Sequence, residues 1–231
     1  RSSDLFIWLY YMTRFPNMPI RIFNGGIGGD TAYDMNKRLD GDIFSKNPTV
    51  LMVTFGMNDS GYYEYNGDNA KEFGEQKYQE SIKNFQQMEK RFKELPHTRI
   101  VMTGTSPYDE TAQIKDNTVF KKKNETIKRI IEYQRESAAR NGWEFTDWNA
   151  PMVAINQELQ QKDPSFTLCG NDRIHPDNDG HMVMAYLFLK AQGFAGKDVA
   201  NMEINANKKQ AVKAEGCTIS NIKKIGKDIS F

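Results

Sequence analysis

The residues best suited to catalysis are Asp172 and His175, three positions apart in Asp172-Arg173-Ile174-His175-Pro176. An aspartate at this spacing can hold an imidazole in one tautomer and stabilise its protonated form, as a general base in acyl transfer requires. Pro176 restricts the backbone after the histidine, which helps to present both side chains at one point. A lone histidine before a helix is more often structural, but the nearby aspartate favours a catalytic interpretation.

A second segment with chemical potential is the glycine-rich loop of residues 24–31, Asn-Gly-Gly-Ile-Gly-Gly-Asp-Thr. Glycines let a backbone come close to a ligand, although a tight strand-to-helix turn would use them equally well. A dinucleotide-binding fingerprint fits poorly, because Thr31 stands where the third glycine belongs and Asp30 would place a carboxylate beside a pyrophosphate. A phosphate-binding loop is excluded, since no Gly-Lys-Ser/Thr follows.

The third segment is Phe55-Gly56-Met57-Asn58-Asp59, which follows the most apolar strand pattern in the chain. The Asn58 amide is a neutral donor that can point at a developing oxyanion, although an Asx turn is the structural alternative. Asp59, like Asp30, is a candidate for substrate contact; a helix cap or a brace for the loop is the alternative for Asp59.

These loops need a scaffold that brings them together, and strand patterns alternate with helical patterns along the chain. Strands are predicted at residues 20–23, 49–55, 99–105 and 143–148, and helices at residues 4–13, 71–95, 117–141 and 179–192. Residues 4–13 are predicted to be a buried helix with Asp4 as its N-cap. The pattern predicts a doubly wound α/β domain with functional groups at the carboxyl ends of its parallel strands.

Together the three motifs resemble the SGNH hydrolases, the GDSL-like lipase/acylhydrolase family, across nearly all of residues 1–195. Gly29 matches the glycine whose N–H forms part of the oxyanion hole, and Asn58 matches the asparagine that supplies another donor. Asp172 and His175 match the block in which the histidine is the general base. The resemblance implies a flavodoxin-like three-layer α/β/α fold with a central parallel sheet. It further implies a serine esterase or acylhydrolase that needs no metal or organic cofactor.

The family's first block, a strand that ends in Gly-Asp-Ser, does not occur in this sequence. The resemblance places that strand before a helix such as residues 4–13, so we expect the nucleophilic serine upstream of Arg1 and the first strand to be missing. The strands on either side of it would then face a gap with unpaired backbone groups. Ser2 and Ser3 are interpreted as helix-entry residues, because neither follows Gly-Asp.

Two other classes of function stay open. His175, Asp177, Asp179 and His181 form a compact cluster in sequence, but a helix that starts after Pro176 would spread them around its axis and disfavour a metal site. The alternative to catalysis is a degenerate hydrolase that binds a carbohydrate or another ligand without cleaving it.

The substrate expected from the sequence is a carboxylic ester with a short acyl group, such as an acetyl group on a carbohydrate or small molecule. Ser106 and Tyr108 are predicted to line the pocket, and Tyr62, Tyr63, Tyr65 and Tyr108 offer rings that stack on sugars. No long apolar lid segment of the kind that an interfacial lipase uses is present.

Composition limits the possible partners and the domain plan. The formal net charge of +1, from 31 basic and 30 acidic residues, gives no electrostatic basis for nucleic-acid binding. No apolar run is long enough to predict a membrane span. Family resemblance favours a secreted or periplasmic protein, and the oligomeric state is not specified. Residues 1–197 are predicted to form the catalytic domain. Residues 198–231 are predicted to form a C-terminal extension, either the start of a small β-module or a partly ordered tail, with short strands at 202–204, 217–219 and 228–231.

Overall fold

A parallel sheet forms the centre of the computed structural model, which describes residues 2–115 and 118–231. Its strands are β1 (Val50–Phe55), β2 (Arg99–Gly104) and β3 (Glu144–Asp147), side by side in that order. Val50 lies opposite Arg99, and Val101 lies opposite Glu144, so both pairs are parallel and in close register. Each strand coincides with one of the predicted apolar runs. The loops that follow β1 and β2 therefore open at the same edge of the sheet.

Helices cover both faces of this sheet. They are α1 (Ser2–Arg14), α2 (Ala32–Arg38), α3 (Ala70–Phe92), α4 (Lys123–Asn141), α5 (Asn149–Leu159) and α6 (Asn178–Ala191). On one face, alternate residues of β1 pack against the buried side of α3 and α4: Leu51, Val53, Phe55, Phe85, Met88, Phe92, Ile130 and Ala138. On the other face, Val101 packs with Ile7 of α1 and Phe188 of α6. The result is the three-layer α/β/α arrangement that the sequence predicts.

Two helix predictions need correction. Helix α1 begins at Ser2, so Asp4 lies in its first turn and is not its N-cap. The helix is also not buried as a whole, because only the side that carries Ile7 packs inward, while Leu5 is 52% exposed and Leu9 43% exposed. Helix α4 begins at Lys123 because Lys122 has a left-handed backbone, and the predicted start at Asn117 lies outside the described residues.

The strand predicted at residues 20–23 is not formed, and this segment is an irregular chain. A β-strand exists only through hydrogen bonds to a neighbour, and among the described residues no strand pairs with this segment or with the outer edge of β1. Phe23 is consequently 65% exposed. The helices α2 and α5 were not predicted; a capping box formed by Thr31 and Asp34 starts α2.

The chain forms two compact units, one ending at Gln192 and one from Gly193 to Phe231. The second unit consists of two antiparallel hairpins, β4 (Asn201–Asn205) with β5 (Gln210–Glu215) and β6 (Lys223–Ile225) with β7 (Asp228–Ser230). The strand predicted at 217–219 is not formed, because those residues have no pairing partner. Among the described residues, no helix combines the length and apolar character needed to cross a bilayer.

Candidate active site

His175 and Asp172 meet in the loop before α6. The His175 Nδ1 atom lies 2.6 Å from Asp172 Oδ2, and the histidine side chain is 80% exposed. The other oxygen, Oδ1, accepts the N–H groups of Ile174 at 3.0 Å and His175 at 2.9 Å. Burial raises the pKa of Asp172, but these hydrogen bonds outweigh it, so the pKa lies below its ordinary value. Because Nδ1 is engaged, Nε2 is the nitrogen left to move a proton.

Arg173 anchors this loop from the inside. Its side chain is 2% exposed, and its guanidinium donates to the carbonyl groups of Asp109 at 3.0 Å and Ala112 at 2.8 Å. The Asp109 N–H donates in turn to the Arg173 carbonyl at 3.1 Å. Arg173 has a left-handed backbone, with φ of 68°, and its side chain is buried although Asp172 and His175 in the same loop are exposed. Sequence reasoning missed this role, because an arginine beside active residues gives no local signal of burial.

Gly170 lets the loop close on itself, and replacing it should destabilise the protein. Its φ is +69°, and a Cβ atom there would lie 2.4 Å from the His175 carbonyl oxygen. We expect Gly170→Ala to lower the free energy of unfolding by about 2 kcal/mol or more, from backbone strain plus this clash. The matched control is Gly142→Ala, with φ of +66° but no atom within 4 Å of the new Cβ. Chemical denaturation of both variants checks this, and equal losses would contradict it.

The Asn58 amide has a defined orientation in the loop after β1. A backbone carbonyl only accepts hydrogen bonds, so the nitrogen Nδ2 must face the Asp30 carbonyl, 3.0 Å away. The oxygen Oδ1 accepts the Tyr62 hydroxyl at 2.6 Å. Burial, together with the charges of Asp172 and Asp59, raises the pKa of Tyr62 to about 12, which keeps this hydroxyl protonated. One N–H of Asn58 then remains for another acceptor.

The glycine-rich loop of residues 24–31 contacts Asn58 through the backbone carbonyl of Asp30. Gly29 has φ of +88°, and no heavy atom lies within 4 Å of the position that its Cβ would take, so its backbone borders open space. The Asp30 carboxylate binds Arg38, with Nε 2.7 Å from Oδ2, and Arg38 also donates to the Gly25 carbonyl at 2.6 Å. The Asp30 side chain thus fixes the glycine-rich loop through Arg38, and the Asp30 backbone carbonyl orients the Asn58 amide.

The buried Asp59 side chain links the loop after β1 to the first residue of α2. Its side chain is 6% exposed and accepts hydrogen bonds from the Ala32 N–H at 3.0 Å, the Gly56 N–H at 3.1 Å and the Ser81 hydroxyl at 3.1 Å. Burial raises the pKa of Asp59, against the effect of these three donors. The geometry supports the brace that the sequence left open as an alternative to contact with substrate.

The two predicted pocket residues after β2 are buried in the structure. Ser106 is 6% exposed. Tyr108 is 1% exposed, and its ring stacks on that of Phe120, with 5.6 Å between the ring centroids. Tyr65, 4% exposed, belongs to the same core cluster, whereas Tyr63 is 80% exposed and meets the edge of Phe120 at 5.5 Å. Of these tyrosines, Tyr63 is the one with a ring open to a ligand.

The two loops that carry Asn58 and His175 lie close together at the carboxyl edge of the sheet. Met57, Tyr62 and Ile174 all pack on the cluster of buried side chains formed by Tyr65, Tyr108, Phe120, Ile127 and Ile131. Within the described residues, no three His, Cys, Asp or Glu side chains come close enough to hold a metal ion. Asp177, from the cluster weighed as a metal site, caps α6 by accepting the Gly180 N–H.

Comparison with known proteins identifies the class. The model of the GDSL-like Lipase/Acylhydrolase family matches residues 9–183. The chain belongs to this family, which confirms the predicted family, fold class and enzyme class: it is related to carboxylic ester hydrolases. The acetylxylan esterase of Geobacillus stearothermophilus is 24% identical over 181 residues, which are 78% of this chain and 75% of that protein.

Solved structures agree on the fold. An acetylxylan esterase from Geobacillus stearothermophilus superposes with a TM-score of 0.64 at 22% identity, over 83% of this chain and 81% of that one. A structure described as a gut microbial diltiazem-metabolizing enzyme is 98% identical, with a TM-score of 0.93 over 99% of this chain. The match covers 52% of that enzyme, so this chain spans about half of its length.

Proposed function

We propose that this chain carries the general base and the oxyanion hole of a serine esterase that works by a Ser-His-Asp mechanism. The observation that carries the proposal is the 2.6 Å contact between His175 Nδ1 and Asp172 Oδ2 in an exposed loop. The Asn58 loop packs on the same core cluster, so a base and an oxyanion donor open at one edge of the sheet. This is the constellation that acyl transfer needs.

The proposed nucleophile is a serine outside residues 1–231, because Gly-Asp-Ser does not occur in them. Such a serine fits on a strand beside β1, whose outer edge pairs with no strand among the described residues. That position lies next to the strand whose loop holds Asn58. Ser3 is disfavoured as the nucleophile, since it is 9% exposed in the first turn of α1.

The proposed reaction runs in two halves. The serine Oγ attacks the ester carbonyl carbon while His175 Nε2 takes its proton, and Asp172 stabilises the imidazolium. The carbonyl oxygen becomes an oxyanion, which accepts one hydrogen bond from the free N–H of Asn58 and another from the backbone N–H of Gly29. His175 then gives the proton to the leaving alcohol oxygen, and an acyl-serine remains. A water molecule, activated by the same histidine, releases the acid and restores the serine.

The proposed substrates are esters of short acyl groups, acetyl esters above all, on a carbohydrate or a small molecule. The acetylxylan esterase relative supports an acetyl ester on a carbohydrate, and the diltiazem-metabolizing enzyme supports a small-molecule substrate. Tyr63, exposed beside Phe120, offers a ring face for the alcohol part of the ester.

The test is fluorophosphonate labelling of the full-length protein, with peptide mapping and turnover of acetylated xylo-oligosaccharide, 4-nitrophenyl acetate and diltiazem. We expect one serine adduct, which forms much more slowly in His175→Ala, and release of acetate from at least one acetyl ester. An unlabelled, inactive protein would support the non-catalytic binding module. Turnover of long-chain esters alone would overturn the short-acyl preference.

Asn58→Ala should lower kcat for an acetyl ester by about 10²- to 10³-fold, because it removes a donor to the oxyanion in the transition state. KM should change much less, since the ground-state carbonyl carries little charge. Steady-state kinetics at one pH measures both. Asn141→Ala, at the C-terminal end of α4, is the control with unchanged kcat. A loss of similar size in both variants would contradict the assignment.

A further inference from the structure

We propose that Lys123 is a positioning residue for the oxyanion hole: its ammonium holds the loop that carries Asn58, and loss of its proton loosens that loop and lowers kcat. The inference rests on the proposed esterase function. It concerns a side chain at the start of α4, 65 positions away from Asn58 in sequence.

The Lys123 side chain is completely buried, and its ammonium makes a full set of hydrogen bonds. Nζ lies 2.6 Å from the Met57 carbonyl, 2.6 Å from the Ser60 hydroxyl and 2.5 Å from the Gly61 carbonyl. All three partners belong to the loop after β1 and lie on both sides of Asn58. An ammonium has three donors, so each is used on this one loop.

The same ammonium supports the residue that orients the Asn58 amide. Nζ lies 3.9 Å from the centroid of the Tyr62 ring, a cation–π distance, and the Tyr62 hydroxyl donates to Asn58 Oδ1. A neutral amine has two N–H groups and a lone pair. To keep all three contacts, the Ser60 hydroxyl would have to donate to the amine lone pair and give up its 2.9 Å hydrogen bond to the Met57 carbonyl. The attraction to the Tyr62 ring would be lost as well. Deprotonation therefore weakens both supports of Asn58.

Burial makes this deprotonation accessible. The charged and titratable groups that face Lys123 are Asp59 and Glu110, together with the rings of Tyr62 and Tyr108. Burial lowers the pKa of Lys123 to about 7, although Asp59 and Glu110 act in the opposite direction. Burial raises the pKa of both tyrosines, so they stay neutral while Lys123 titrates.

The lowered pKa of Lys123 also predicts the direction in which the stability of the folded state changes with pH. The unfolded state keeps the ordinary lysine pKa of 10.5, while the folded state has about 7. Between these values the unfolded chain binds more protons, so this group makes the folded state more stable as pH rises through that window. Activity and stability should thus move in opposite directions above pH 7, which a general alkaline loosening of the fold would not produce.

The experiment compares full-length wild type with Lys123→Met, which has similar length and no charge. In Lys123→Met we expect kcat for an acetyl ester to fall about 10- to 100-fold with KM nearly unchanged, since small displacements of a catalytic donor are costly. Wild type should lose kcat as pH rises above 7, whereas the variant should lack this alkaline limb. In an Asn58→Ala background, Lys123→Met should cost less than about threefold, because its target is gone.

Controls separate this role from simple structural support. Lys121→Met, at an exposed lysine two positions earlier, should keep the wild-type kcat and pH profile. Lys123→Gln, which keeps two donors without charge, provides the readout if the methionine variant does not fold, and it too should lack the alkaline limb. An alkaline limb that persists in either variant, or a full loss in the Asn58→Ala background, would overturn the inference alone. A wild type without esterase activity would overturn the proposed function and this inference with it.

Discussion

Replacing His175 by alanine should lower kcat for ester hydrolysis by about 10⁴- to 10⁶-fold, the largest effect of any single substitution in this chain. The change removes the group that takes the serine proton and returns it to the leaving alcohol. The side chain is 80% exposed, so the fold should be unaffected. Labelling by a fluorophosphonate should slow as well, because the serine is no longer activated.

Steady-state turnover of an acetyl ester by the full-length protein, together with thermal unfolding, checks this expectation. His97→Ala is the matched control, since His97 is also exposed but lies between α3 and β2 at the opposite edge of the sheet. It should retain wild-type turnover. If His175→Ala kept more than about a hundredth of the activity, His175 would not be the general base.

Asp172→Asn should reduce kcat by about 10⁴-fold while the loop keeps its shape, and the reason lies in the two oxygens of this side chain. Oδ1 accepts the N–H groups of Ile174 and His175, and only an oxygen can fill that position. The new amide nitrogen must therefore replace Oδ2 and donate to His175 Nδ1. The proton of the imidazole then sits on Nε2, which can no longer act as a base.

Kinetics at neutral pH and a ¹⁵N spectrum of the histidine ring test this explanation together. We expect the spectrum to show a change of tautomer and the melting temperature to stay within a few degrees of wild type. Asp179→Asn is the control, because Asp179 is an exposed residue in the first turn of α6. Full activity in Asp172→Asn, with the tautomer changed, would show that Nε2 is not the catalytic nitrogen.

Much of the fold was predictable, because its strands are encoded in short apolar runs. Val50–Phe55 and Arg99–Gly104 are β-branched and apolar over almost their whole length, a pattern that indicates a covered parallel strand wherever it occurs. Residues 20–23 have the same local character and yet form no strand. The difference lies in pairing, which depends on a neighbouring strand and not on the segment itself.

The sequence by itself determined the Asp172–His175 pair, because a turn of four residues brings positions i and i+3 close together. Tertiary structure alone decided what happens to the polar side chains around that pair. Arg173, Asp59 and Lys123 are charged residues that a sequence places at the surface by default, yet all three are buried. Their partners, at Ala112, Ala32 and Met57, are distant in sequence. The burial of a charge becomes tolerable only after the fold has supplied those partners, so no local pattern announces it.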